Sequence, residues 1–112
     1  MNKIQNLGDF EQVVLLAILR LKAVGAYGVS IRNEISEHTK RNPTPGAIYT
    51  TLERMETKGF VKSSEGEATP ERGGRAKRYY HVTVKGLNAL KKTQGDYRNL
   101  LKGLDILGDL YA

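Results

Sequence analysis

Two sets of residues in this sequence have the types and spacing to do chemistry, and the chemistry is that of holding a polyanion. The first is a basic window. Seven cations, Arg72, Arg75, Lys77, Arg78, Lys85, Lys91 and Lys92, lie in a stretch with no acid between Glu71 and Asp96. The chain carries a net charge of +6, and outside this window the remaining cations are matched by the 12 acids, so the excess sits here. A focused positive field suits phosphate, because each neutralised phosphate releases condensed counterions. Charge alone also fits a solvated basic face that keeps a protein in solution. The second set is a helical wheel over Pro45–Lys58. At about 100° per residue, Ile48, Leu52 and Met55 share one narrow face. Gly46, Thr50, Glu53, Arg54 and Thr57 fall opposite, with Ala47 and Tyr49 on the flanks. Most of these side chains are short, so the backbone can approach the floor of a groove. The helix N-terminus, with Thr44, Gly46 and Ala47, presents N–H groups to a phosphate. Thr50 and Arg54 are then placed to read base edges and Tyr49 to reach the backbone of a duplex. An ordinary solvent-facing helix is the competing reading, and Glu53 and Glu56 speak for it.

Other chemistries lack their residues. The chain has no cysteine, which excludes disulfides, zinc fingers and thiol sensors and fits a reducing cytoplasm. His38 and His81 have no carboxylate or serine partner at a motif spacing, and no metal-ligand pattern occurs, so neither catalysis nor a cofactor is expected. Gly73-Gly74 has no strand-to-helix junction and no following Lys-Ser/Thr, so turn chemistry is the better reading than a phosphate cradle. The longest apolar run, Val13–Leu19, falls far short of the ~20 residues of a membrane span. No secretory h-region precedes Val13, so no cleaved signal is expected. The aromatic platform of single-strand RNA readers is missing too.

The elements that must position the two sets follow from pattern. A first helix is expected from Asp9, as its cap, to about Val24; it is apolar on nearly every side, which asks for cover from a second chain. Gly25–Gly28 reads as a turn or short extended piece. Ser30 is expected to cap a second helix to about Lys40, with Ile31 and Ile35 inward and His38 at the edge of the core. Thr44 as N-cap and Pro45 at N1 open the third helix, which ends at Lys58 with Gly59 as its C′ residue. Strands over Phe60–Ser63 and Arg78–Val82 flank a polar, flexible hairpin that carries Arg72, Arg75, Lys77 and Arg78 toward a backbone or a minor groove. This order predicts a mainly α (α+β) fold: a winged helix-turn-helix over residues 1–82 with a two-stranded wing, followed by a long C-terminal helix over residues 83–112.

That last helix, capped by Thr83 and reaching to Leu110, would extend about 42 Å at ~1.5 Å per residue and overhang its own domain. Leu87, Leu90, Tyr97, Leu101 and Leu104 fit heptad a and d positions, with Gln94 as a polar interruption, so an identical helix is the simplest cover. The sequence thus predicts a homodimer, with the glycines at 86, 95, 103 and 108 weakening the helix in isolation. Tyr97 sits mid-seam, where it either packs or stacks on a planar effector.

The paired stretches Pro45–Val61 and Glu71–Gly86 resemble the PadR-type transcriptional regulators, with coverage from about Leu7 to Lys92. The resemblance implies a winged-helix homodimer on double-stranded DNA that represses from a promoter palindrome; in some members a small molecule weakens that binding. It carries the family's recognition-helix tyrosine onto Tyr49 and its wing arginines onto Arg72 and Arg75. Ala47 departs from the Ser or Thr usual there, and Thr50 from the usual proline, which puts one phosphate contact and the sequence preference in question. A winged-helix protein-interaction module without DNA binding is the alternative, and a mobility-shift assay separates the two.

Overall fold

The computed structural model describes residues 7–68 and 76–105, and the chain runs α1 (Asp9–Arg20), α2 (Gly28–His38), α3 (Pro45–Thr57), β1 (Val61–Ala68), β2 (Ala76–Val82) and α4 (Val84–Leu101). α1 forms because Val14, Leu15 and Ile18 recur at helical spacing and face the centre; all three are buried. Its cap is Gly8 rather than Asp9: the Gly8 N–H donates to Glu11 Oε1 at 2.9 Å, while Asp9 is the first helical residue and pairs with Arg41. The helix ends at Arg20, short of the expected Val24, because the chain turns on itself; Gly25 N–H bonds Leu21 O at 2.7 Å with Gly25 at φ +105°.

The piece that follows is extended. Tyr80 N–H bonds Ala26 O at 2.8 Å, and Tyr27 bridges Tyr79, so residues 26–27 lie along the free edge of β2. α2 then starts at Gly28, two residues before Ser30. Ser30 sits in the first turn, where its hydroxyl accepts from Tyr27 N–H at 2.9 Å and reaches the Gly25 carbonyl at 3.0 Å. A serine in the first turn can bond back to the N-cap N–H as well as cap a helix itself, so the Ser30 signal marks a helix start two residues earlier than Ser30. α2 ends at His38, where Thr39 bonds back to Ile35 O at 2.7 Å. His38 is exposed rather than at the core edge, and the Arg20 guanidinium bridges it (3.0 Å) and Glu34 (2.7 Å).

α3 has the expected ends. Thr44 Oγ1 accepts from Ala47 N–H at 3.1 Å and Pro45 occupies the first turn. At its far end Gly59 N–H bonds Glu56 O (3.0 Å) and Phe60 N–H bonds Met55 O (2.9 Å), with Gly59 at φ +82°. This is a Schellman closure, and it needs a residue free to adopt the left-handed region.

The two strands are longer than the sequence pattern predicts and pair antiparallel, Val61 with Val82 through Glu65 with Arg78, with an irregularity between Glu65 and Ala68. Phe60 precedes the strand and is a core residue instead, 1% exposed. α4 stops at Leu101 rather than Leu110, with Gly103 at φ +81° behind it; residues 106–112 lie outside the described part. Its 18 residues make it about 27 Å long at ~1.5 Å per residue, not the 42 Å of the sequence reading. One core, built from Leu15, Ile31, Ile48, Leu52, Met55 and Phe60, also takes in Ala89 and Leu90 of α4. The result is a mainly α winged helix, with four helices and a small antiparallel sheet among the described residues. Among the described residues no helix is long and apolar enough to cross a membrane.

Candidate nucleic-acid interface

The inner face of α3 is held without slack: Ile48, Leu52 and Met55 are each 0% exposed, and Thr51 is buried beside them. A helix fixed on that side must present the other one, and Thr44, Gly46, Ala47, Tyr49, Thr50, Glu53 and Thr57 are all exposed. Thr44 spends its oxygen on the Ala47 N–H, so its role at the surface is to shape the helix end. Tyr49 lies along α3 toward the start of α2, in a shallow cleft with Gly28, Val29, Arg32 and Pro45. A Cβ at Gly28 would sit 2.3 Å from the Tyr49 hydroxyl, so the absence of a side chain at Gly28 is what lets the phenol rest there. The phenol oxygen is thus carried to the N-terminus of a second helix, where both helix and hydroxyl can donate to an anion.

Arg54 does not hang free opposite the core. Its Nε donates to Glu11 Oε2 at 3.2 Å, and Lys58 Nζ reaches the same oxygen at 3.1 Å. Glu11 is nearly enclosed. Burial pushes its carboxyl up, but the bonds from Gly8 N–H, Lys58 and Arg54 outweigh this and hold it below the usual carboxylate range. Sequence reading missed Glu11, although a signal existed: it lies on the same i, i+3, i+4, i+7 stripe as Val14, Leu15 and Ile18.

The wing differs from the sequence picture. β2 starts at Ala76, so Lys77 belongs to the strand along with Arg78, and neither hangs on a mobile hairpin. Lys77 Nζ stands 4.3 Å over the Tyr27 ring, itself edge-on to Tyr79. Arg78 donates to Ser63 Oγ at 2.8 Å and stands 3.6 Å from Glu65, while Ser63 donates to Glu56 at 2.5 Å. Burial raises the Tyr80 phenol, and the Glu56 carboxylate nearby adds to this, so Tyr80 is a neutral packing group. Arg72 and Arg75 lie outside the described residues. Lys85 donates to the Lys58 carbonyl at 2.8 Å at the end of α3, and Lys92 pairs with Asp96 at 3.1 Å. The window that is free of acids in sequence therefore has Glu65 and Asp96 beside it in space.

The apolar stripe of α4 divides in two. Leu90 is 4% exposed, inside the protomer's own core, and Leu87 lines a pocket with Ile18 and Leu19. Gln94 is no unpartnered break in a seam; its amide donates to Gln12 Oε1 at 3.0 Å. These three positions are used within the chain because α4 lies across α1 and β2 before it leaves the domain. Tyr97, Leu100, Leu101 and Leu104 remain exposed, as does Leu16 on α1.

Comparison with known proteins agrees with this architecture. The profile of the PadR-like family of transcriptional regulators matches residues 15–92. A PadR family transcription regulator from Clostridium difficile R20291 superposes with a TM-score of 0.67 at 22% identity, over 92% of this chain and 99% of that one. A PadR-like transcription factor from Bacteroides fragilis gives 0.69 at 21% identity, over 88% of each chain. A transcriptional regulator from Thermoplasma acidophilum gives 0.66 at 24% identity, over 88% and 89%. At these identities the structures establish the shared fold. No curated protein matches. With its family profile spanning both the helix-turn-helix and the wing, the chain belongs to the PadR-like family of transcriptional regulators.

Proposed function

We propose that this regulator binds double-stranded DNA as a homodimer in the cytoplasm and represses from a palindromic promoter site. The observation that carries the reading is α3: Ile48, Leu52 and Met55 lock its inner face at 0% exposure, while Gly46, Ala47 and Thr50 face outward with little bulk above the backbone and Tyr49 lies exposed at their flank. That is the surface that can enter a major groove, with Thr50 and Arg54 toward base edges and Tyr49 toward a phosphate. Arg72 and Arg75 extend the contact from the wing, and Lys77 and Arg78 stiffen its base. Tyr97, Leu101 and Leu104 are the apolar surface for a second copy, which would set two α3 helices about 34 Å apart on successive major grooves. A planar effector that weakens binding would stack on Tyr97.

The test is a mobility-shift titration on the chain's own upstream region at several salt concentrations. Replacing Arg72 and Arg75 together by alanine removes four phosphate contacts from a dimer. The slope of log K against log salt should flatten by about 3–4, at ~0.9 per phosphate. An unchanged slope removes the wing from the interface, and the absence of any shifted complex removes the DNA reading.

A further inference from the structure

Glu11 is the polar group least at home in its surroundings. Its side chain is 6% exposed, on a stripe otherwise made of Val14, Leu15 and Ile18. Both of its oxygens are engaged: Oε1 accepts from Gly8 N–H at 2.9 Å, and Oε2 from Lys58 Nζ at 3.1 Å and Arg54 Nε at 3.2 Å. A buried ion pair is a weak source of stability, since an apolar side chain of similar size serves a core as well or better. What a carboxylate adds is direction. An arginine has five donors in a planar fork, and Glu11 takes only the Nε one. Among the described residues the Arg54 side chain makes no other hydrogen bond, and it is still 47% exposed. The two Nη groups are therefore left available at the surface of α3, and such a fork matches O6 and N7 of a guanine. An arginine anchored at Nε has already given up much of the rotamer freedom that a loose one would lose on binding.

Resting on the reading of α3 as the helix that enters the major groove, we infer that Glu11 is a positioning residue for sequence recognition: it holds Arg54 by Nε so that its Nη pair faces a guanine. The same carboxylate occupies Lys58, and so withholds that cation from indiscriminate phosphate contacts. α1, which touches no DNA in this arrangement, thereby sharpens the choice of base.

The experiment selects binding sites from a duplex library with a randomised core, using the full-length wild type, Glu11→Gln, Arg54→Lys and the double variant. Glu11→Gln keeps the shape and the acceptor for Gly8 N–H but removes the charge that holds Arg54 and Lys58. The wild type should enrich a guanine at one position of each half-site. Arg54→Lys, which keeps the charge and loses the fork, should abolish that enrichment. Glu11→Gln should lower it about tenfold, with affinity for unselected duplex equal or higher, and in the double variant it should add nothing. A side chain that only stabilised the fold would lower the melting temperature and leave base preference untouched. Wild-type preference in Glu11→Gln overturns the inference while the DNA reading stands. A wild type that enriches no sequence defeats the DNA reading itself. Should Glu11→Gln fail to fold, Glu11→Asp, which keeps the charge but draws the carboxylate back from Arg54 Nε, decides: full guanine enrichment overturns the inference, and a drop in enrichment with affinity for unselected duplex retained supports it.

Discussion

Two glycines of α4, nine residues apart, should respond in opposite directions to the same substitution. By helix propensity alone, Gly→Ala inside a helix gains up to about 1 kcal/mol. At Gly95 nothing lies within 4 Å of the Cβ that alanine would bring, so the full gain is expected there. At Gly86 the new Cβ would sit 2.2 Å from the Phe60 carbonyl oxygen and 3.1 Å from Val82 Cγ1. The Phe60 carbonyl cannot swing away cheaply, because it accepts from Thr83 N–H at 3.0 Å and Phe60 is in the core. α4 must therefore lift off the start of the wing by about an ångström, an overpacking cost of about 1–3 kcal/mol, here at the upper end because the obstacle is backbone. After subtracting the propensity gain, Gly86→Ala should lose about 2 kcal/mol, or roughly 8–16 °C in Tm at ~4–8 °C per kcal/mol for a domain of this size. Gly95→Ala should rise by several degrees on the same scale. Thermal unfolding by circular dichroism at fixed protein concentration measures both. If Gly86→Ala melts as high as Gly95→Ala, α4 does not cross at Phe60 and the docking of this helix is wrong.

Two further perturbations test other parts of the molecule. Glu11 has its carboxyl held below the usual range, so its contribution is complete above the unfolded pKa of about 4.3 and is lost as pH falls through the lower folded value. The melting-temperature gap between wild type and Glu11→Gln should therefore narrow as pH drops below the usual carboxylate range; a constant gap from neutral pH into strong acid would show that the charge does not matter. Leu101→Glu with Leu104→Glu should leave a folded monomer in sedimentation velocity, because a symmetric pair loses four leucines at about 1.5–3 kcal/mol each; sedimentation unchanged from a dimeric wild type would place the interface elsewhere.

How much was legible in the sequence depended on how local the deciding contact is. α3 was readable because its signals are its own: Thr44-Pro45 at the start, Ile48, Leu52 and Met55 at helical spacing, Gly59 at the end. The family resemblance rested on the same stretch. α4 was overextended because an apolar heptad says that a face wants cover and not that the backbone stays helical; the stripe runs past Leu101, yet the helix stops there. The same heptad gave no hint that Leu90 and Gln94 are used inside the protomer. Gly86 looked like a defect of the helix and is instead the gap through which the Phe60 carbonyl approaches. The cationic window misled by being linear. Strand register sets Glu65 opposite Arg78, and one helical turn sets Asp96 beside Lys92, so charge counted along the chain overstates charge available at a surface.

The first turn of α1 deserves a different reading from the one its composition invites. A helix this apolar looks like a part that only fills space, yet three of its first four residues bind outward to three other parts of the chain. Asp9 pairs with Arg41 ahead of α3, Glu11 holds Arg54 and Lys58 on α3, and Gln12 accepts from Gln94 on α4. The Asp9 pair is exposed, but Glu11 and Gln12 are buried, and buried polar pairs are geometrically demanding, since a partner displaced by an ångström loses its bond without regaining water. α1 therefore fixes α3 and α4 relative to one another through side chains that tolerate few alternatives. If α4 joins two copies, the separation of their α3 helices is set through this turn, and a change at Gln12 or Gln94 would alter half-site spacing before it altered the base contacts.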